Sequence, residues 1–329
     1  MNRRHERGSI ALPQAARDSA SAARIAGWRR GGGPVRFLLL AAAALLLAGC
    51  GPISVFNPAG PVADANRTIT LNALAIMLAI AIPTMVATII FAWWFRASNM
   101  KAEYRPDFVY SGRIELIVWS IPILVILFLG GVIWIGSHQL DPARPLPSRA
   151  PPVEVQVVSL DWKWLFIYPR EGVASVNQLF VPTGVPVHFS LTSASVMNVF
   201  FVPRVGSMIY TMGGMTTQLN LRVDKQGAFY GRSAQFSGDG FPDMHFVLHS
   251  VPAVRFAAWT AAAKANGPVL DGPAYVALEK QSSNVAPFTY RAVAPGLFDA
   301  IVTHKLPSGP GPETGHGGAQ PNVRPSFAG

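Results

Sequence analysis

The sequence predicts a membrane α + β chain, in which a two-helix transmembrane hairpin is followed by an antiparallel β-sandwich and then by C-terminal helices. Three observations predict it. Residues 69–95 carry no charge and residues 114–136 carry only Glu115, and a helix of roughly 20 apolar residues crosses a bilayer. Beyond a proline-rich stretch at 141–152 the apolar residues recur at every second position, the period of a strand. Of 329 residues, 13% are charged and 50% are hydrophobic, where a soluble domain carries roughly 25% charge.

Taken in order, the chain opens on a basic leader. The net charge is +10, but residues 1–49 hold 8 Lys/Arg against 2 Asp/Glu, and the rest of the chain 19 against 15. The basicity is local, which argues against a nucleic-acid partner. Residues 37–48 (FLLLAAAALLLA) follow Arg29, Arg30 and Arg36. Twelve apolar residues behind arginines are too few to span a membrane and match a signal-peptide core, so 1–49 reads as a signal segment. It ends at Leu47-Ala48-Gly49-Cys50, which resembles the lipobox of bacterial lipoproteins. That resemblance implies cleavage before Cys50 and lipidation of its thiol, with each buried CH₂ adding about 0.8 kcal/mol of anchorage. Cys50 is the sole cysteine, so no internal disulfide and no multi-thiolate zinc or iron–sulfur site is available. The long stretch before the apolar run suggests a true start near Val35.

After an external segment at 50–68, the spans are expected at 69–95 and 114–136. Trp93, Trp94 and Trp134 sit where aromatic rings favour the lipid–water boundary. Pro83 and Pro122 each remove a backbone donor and should kink their helices. The intervening loop, 96–113, holds Arg96, Lys101, Arg105 and Arg113 against Glu103 and Asp107. The positive-inside bias places it in the cytoplasm and both ends of the mature chain outside, the side that a lipidated Cys50 also requires.

A stiff linker, 137–152, leads to the external domain, 153–250. Val153, Val155 and Val157 share one face, as do Val185, Val187, Phe189 and Leu191. Leu219, Leu221 and Val223 alternate with polar residues, and Met244, Phe246 and Leu248 with His245, Val247 and His249. Short strands at this spacing predict an antiparallel sandwich or barrel. The C-terminal segment, 251–306, holds a helix over 253–265, with Phe256 and Trp259 on one face, and a second near 273–281. The tail, 307–329, is rich in Gly and Pro and reads as disordered. His245 and His249 stand roughly 13 Å apart on a strand, too far to share an ion. With His188 they read as surface residues, and no spacing implies a serine-hydrolase triad.

The motifs RASN (96–99), VWSIPIL (118–124), DWKWLFIYP (161–169), TSASVMNVFFVPRVGSMIYTMGGM (192–215) and GRSAQFSGDGFPDMHF (231–246) stand in one order. In that order they resemble subunit II of the haem–copper terminal oxidases, in the quinol branch of cytochrome bo-type ubiquinol oxidases, over roughly 47–305. The resemblance implies a cupredoxin-like sandwich. It also implies a place in the inner membrane of a bacterium beside oxidase subunit I and further small membrane subunits. Haems, copper and ubiquinol would belong to subunit I and no cofactor to this chain.

In the cytochrome c oxidase branch this sandwich carries a dinuclear copper held by a histidine and by the set C-x-E-x-C-x₃-H-x₂-M. Here the matching positions are Asn198, Ser233, Gln235, Ser237 and Phe241, with Met244 alone retained. A hydroxyl does not bridge soft copper ions as a thiolate does, so the expectation is no metal and no electron transfer, with Met244 in the core. The aromatic pair Trp162 and Trp164, an electron entry in the copper-bearing branch, is left with packing or subunit contact. In this family a glutamate at the position of Glu115 lies at the mouth of a proton path. The plain alternative is a solvated carboxylate favoured by the helix dipole. The reading is a non-redox structural subunit of a proton-pumping ubiquinol oxidase. Two others stay open: a cytochrome c oxidase subunit with an atypical copper site, and a free-standing lipoprotein that binds a partner through the sandwich.

Overall fold

The structure, a computed structural model, describes residues 55–103, 105–309 and 311. The leader, Cys50 and nearly all of the tail lie outside the described residues. Helix α1 runs Pro61–Trp94 and α2 runs Gly112–Gln139. The sequence placed the first helix at 69–95, and it starts eight residues earlier. Pro61 is the reason: at the first helical position its ring pre-sets φ and its missing N–H is no loss. Hydropathy marks where lipid contact begins, not where the helix does. At 34 residues α1 is about 51 Å long, more than the ~30 Å of hydrocarbon, so its first turns are free to meet the external domain. There Val62 and Ala63 are buried, and Asn66 Nδ2 donates to Ser207 Oγ at 2.9 Å. A Cβ on Gly60 would fall 2.0 Å from the Arg222 carbonyl oxygen, so this approach requires glycine. Both helices continue through Pro83 and Pro122. They meet at Gly136, where a Cβ would lie 2.8 Å from Ile69 Cδ1, the close approach that small residues permit in membranes. Neither apolar window is buried within the chain.

The external domain packs two sheets. Strands β1 (Val153–Leu160), β2 (Lys163–Tyr168), β3 (Val173–Val176), β5 (Pro186–Ser193), β8 (Thr217–Arg222) and β12 (Phe288–Tyr290) form one, ordered β12-β3-β2-β1-β5-β8. The other is β4 (Gln178–Pro182), β10 (His245–Val251), β9 (Gly227–Ser233), β6 (Asn198–Phe201) and β7 (Ile209–Thr211), in that order. The sandwich is not purely antiparallel as the sequence suggested: β1 pairs parallel to β5, and β4 to β10. After β3 the chain crosses to the second sheet as β4 and returns as β5 in the direction of β1. A return through the other sheet delivers a parallel neighbour that no tight hairpin can make.

Register confirms the alternating faces. Val155 stands opposite Phe189 and Val157 opposite Leu191, while Val187 faces Leu221 and Phe189 faces Leu219. All seven are buried in the core between the sheets, with Trp164, Phe166, Phe200 and Phe246. Strand β2 has no exposed face at all. Trp164, Phe166 and Tyr168 point into the inter-sheet core, whereas Leu165 and Ile167 point into a second core. Covering that second face are α4 (Gly272–Glu279) and α5 (Leu297–Val302), with β11 (Val269–Leu270) and β13 (Ala292–Val293) forming a small ribbon. Helix α3 (Ala253–Ala265) spans the residues expected of it. Its Trp259 stacks on Phe180 at 4.5 Å and meets Tyr168 edge-on at 5.1 Å. The tail boundary at 307 lies too early, because the Gly309 N–H donates to the Ala194 carbonyl at 3.0 Å.

Candidate functional site

The positions that resemble copper ligands come together at one end of the second sheet. Strand β9 ends at Ser233, a loop carries Gln235 and Ser237, a 3-10 turn spans Phe241–Asp243, and Met244 leads into β10. Asn198 opens β6, the neighbour of β9. Ser233 Oγ donates to Asn198 Oδ1 at 3.0 Å and also lies 3.2 Å from the Gln235 carbonyl. The Gln235 N–H reaches back to the same oxygen at 3.4 Å. Ser237 Oγ lies 3.9 Å from Met244 Sδ. Asn198, Ser233, Ser237 and Met244 are all buried. Met244 packs with Phe246 and Leu248 as expected, although it caps the 3-10 turn and does not belong to the strand. Phe241 instead meets Phe236 edge-on at 5.6 Å, and Phe236 is 70% exposed.

As a donor set for soft copper this constellation does not fit. It offers two hydroxyls, two amides and one thioether, where thiolates and imidazoles are needed. The Ser233 hydroxyl is already spent on Asn198 Oδ1, and the Asn198 side-chain N–H on the Val196 carbonyl, so entry of an ion there would break buried hydrogen bonds.

The loop is held from beneath by Trp162. This residue has φ +63°, in the left-handed region that bulky side chains rarely occupy. The turn places its indole under the loop, where Trp162 Nε1 donates to the Ser237 carbonyl at 2.9 Å. A Cβ on Gly240 would strike that indole at 2.3 Å, so the loop closes over the ring only because residue 240 is glycine. Asn177 locks the turn further, its Oδ1 accepting from Trp164 N–H at 2.9 Å. Trp162 is 3% exposed and Trp164 0%. Both are internal, so of packing and subunit contact the burial selects packing.

The two residues that flank Trp162 belong to a cluster that the sequence did not reveal. Asp161 and Lys163 point to the opposite face and are buried under α4, with Glu279. Burial pushes the Asp161 and Glu279 carboxyls up and the Lys163 ammonium down to about 8. A D-x-K turn carries no sequence signal of burial. The available hint was the continuous apolar run that follows it, which marks a strand covered on both faces.

Glu115 lies in the first turn of α2 and is exposed. His245 and His249 share the outer face of β10, but His249 is only half-exposed and stacks on Phe180 at 4.5 Å. His188 is fixed by Asn220 at 3.0 Å. No three His, Cys, Asp or Glu among the described residues gather as a metal site.

Residues 161–251 match the family described as cytochrome c oxidase subunit II, periplasmic domain, and residues 264–304 the COX aromatic rich motif. The cytochrome bo(3) ubiquinol oxidase subunit 2 of Pseudomonas aeruginosa is 46% identical over 276 residues, 84% of this chain and 83% of that one. The ubiquinol oxidase subunit 2 of Acetobacter aceti is 47% identical over 262 residues, 79% and 84% of the two chains. The crystal structure of the periplasmic domain of cytochrome oxidase subunit II from Bradyrhizobium japonicum is 24% identical, with a TM-score of 0.34. It covers 36% of this chain and 98% of that domain.

Proposed function

The chain belongs to the ubiquinol oxidase subunit 2 family, and from that premise we propose that it is the redox-silent structural subunit of a proton-translocating quinol oxidase. The observation that carries redox silence is the closed hydrogen-bond set of Asn198, Ser233 and Gln235, beside Ser237 and Met244. With no thiolate to bridge copper, this chain holds no metal. Haems, active-site copper and the quinol site belong to the catalytic subunit I.

The apolar residues that the fold leaves bare support that partnership. Phe236, Met197, Met208, Tyr210 and Met215 are all exposed around the loop and the β6–β7 edge. Such a grouping on a membrane-anchored domain suits a permanent partner surface. The two spans, bare along their apolar length, pack against the helices of subunit I. The basic loop at 96–113 faces the cytoplasm and the sandwich the outside, with Cys50 lipidated there. The cytochrome c oxidase alternative lacks its ligands, and relatives named ubiquinol oxidase subunit 2 over most of the chain favour the oxidase over a free-standing lipoprotein.

The test is oxygen uptake by the purified complex with ubiquinol or with reduced cytochrome c as donor. Uptake with ubiquinol alone, and no copper in the separated chain, is the expected result. Uptake with cytochrome c, or copper in this chain, would overturn the reading. Glu115 is assigned the mouth of a proton path, as an ionisable residue at the end of a span. Glu115→Gln is then expected to lower oxygen uptake and to displace its pH profile. An unchanged rate and profile would return Glu115 to the role of a solvated helix-end carboxylate.

A further inference from the structure

The turn that lifts Trp162 into the loop sends Asp161 and Lys163 the other way, into an enclosed cluster with Glu279. Their exposures are 4%, 1% and 5%. The Lys163 ammonium spends all three N–H groups on neutral acceptors: the Lys280 carbonyl at 2.6 Å, Ser282 Oγ at 2.7 Å and the Asp161 carbonyl at 3.3 Å. None reaches a carboxylate. Asp161 Oδ1 accepts from Ser195 Oγ at 2.5 Å, while Asp161 Oδ2 and Glu279 Oε2 are buried without a hydrogen-bond partner.

Two ionised carboxylates and one ammonium leave a net charge of −1 in this enclosure, together with two unmatched acceptor atoms. Unpaired buried charge is costly, and such groups neutralise instead. One proton taken from solvent by either carboxylate brings the cluster to zero. We propose that Asp161 and Glu279 hold one proton between them beside Lys163, and that this proton clasps the 264–304 segment to the sandwich. The elements joined are the β1–β2 turn, the loop at Ser195 and the C-terminal end of α4.

The direction of each titration agrees. Burial raises both carboxyls, and the Asp161 carboxylate raises Glu279 further, while the Ser195 hydroxyl, the Lys163 ammonium and the Gly311 backbone lower Asp161 without reversing its shift. Tyr275, the fourth titratable group facing the cluster, is pushed up by burial and by both carboxylates, so its hydroxyl stays neutral. A carboxyl whose pKa is raised on docking stabilises the docked state below the ordinary carboxylate range and loses that contribution as pH rises through the raised value. Lys163, pushed down to about 8, keeps its proton throughout mild acid. Below that value the carboxyls alone set the trend, and the clasp weakens as pH rises through their raised range.

Amide hydrogen exchange across 272–285 in the oxidase purified from membranes tests this. Glu279→Gln keeps the shape of the protonated acid and cannot ionise. The ratio of variant to native exchange at each pH removes the intrinsic pH dependence. Expected are equal rates at pH 5.5 and, at pH 7, exchange in the variant slower by about three- to tenfold. Asp161→Asn is expected to repeat the pattern, because the proton belongs to the pair. Equal rates at both pH values would overturn the proposal. So would faster exchange in the variant at pH 7, an equal slowing at both pH values, or a response in only one of the two variants.

Discussion

Trp164→Ala is expected to remove about 3–5 kcal/mol of stability from the external sandwich, a large share of the roughly 5–15 kcal/mol that holds a domain together. The ring is fully buried. It meets Phe200 and Phe246 edge-on, each at 5.7 Å, and those two stack on each other at 5.2 Å. Its indole N–H has no partner, so the whole loss is packing, and no hydrogen bond offsets it. Neighbours fixed in both sheets cannot collapse into the space. Trp164→Phe should lose far less, because a ring remains between Phe200 and Phe246. The measurement is the denaturant midpoint for protease resistance of 153–251 in the purified oxidase. An unshifted midpoint for Trp164→Ala would mean that this aromatic stack does not hold the sheets. If the proposed redox silence of the sandwich holds, oxygen uptake per folded complex with ubiquinol should be the same for Trp164→Phe as for the native chain.

That core was legible in part, and the division follows burial. Strands β5, β8 and β10 show their alternation because only one face of each packs against the opposite sheet. Strand β2 hides it, because Leu165 and Ile167 face a second core built from Leu270, Tyr275, Leu278 and Phe298. Those residues lie on elements of two to eight residues, too short to show which face is covered even where, near 273–281, a helix is expected. Asp161 and Lys163 were invisible for the same reason, since only the covering segment makes them internal. Asn198, Ser233, Ser237 and Met244 were legible as a set only through family resemblance. Hydroxyls and an amide at that spacing carry no chemical signal of their own. The geometry then adds what resemblance could not, namely that the set closes upon itself.

If lost ligands alone silence the sandwich, restoring them should restore metal binding. The substitution set Asn198→His, Ser233→Cys, Gln235→Glu, Ser237→Cys and Phe241→His is expected to yield a chain that takes up about two copper ions and absorbs visible light through thiolate–copper charge transfer. The framework supports this. Asn198 and Ser233 are already within 3.0 Å of each other, Ser237 reaches Met244 at 3.9 Å, and the Ser233 N–H donates to the Met244 carbonyl at 3.2 Å. Trp162 and Gly240 hold the loop in this closed form. The new thiols would lose their protons to the metal, which makes uptake weaken in acid. The same set with either Ser233 or Ser237 left in place should bind no copper pair, because a single thiolate cannot bridge two soft ions from both sides. A folded five-fold variant that stays colourless would locate the silence elsewhere, in the path of the loop. Copper bound equally well with one serine retained would show that the hydroxyls are not what closed this site to metal.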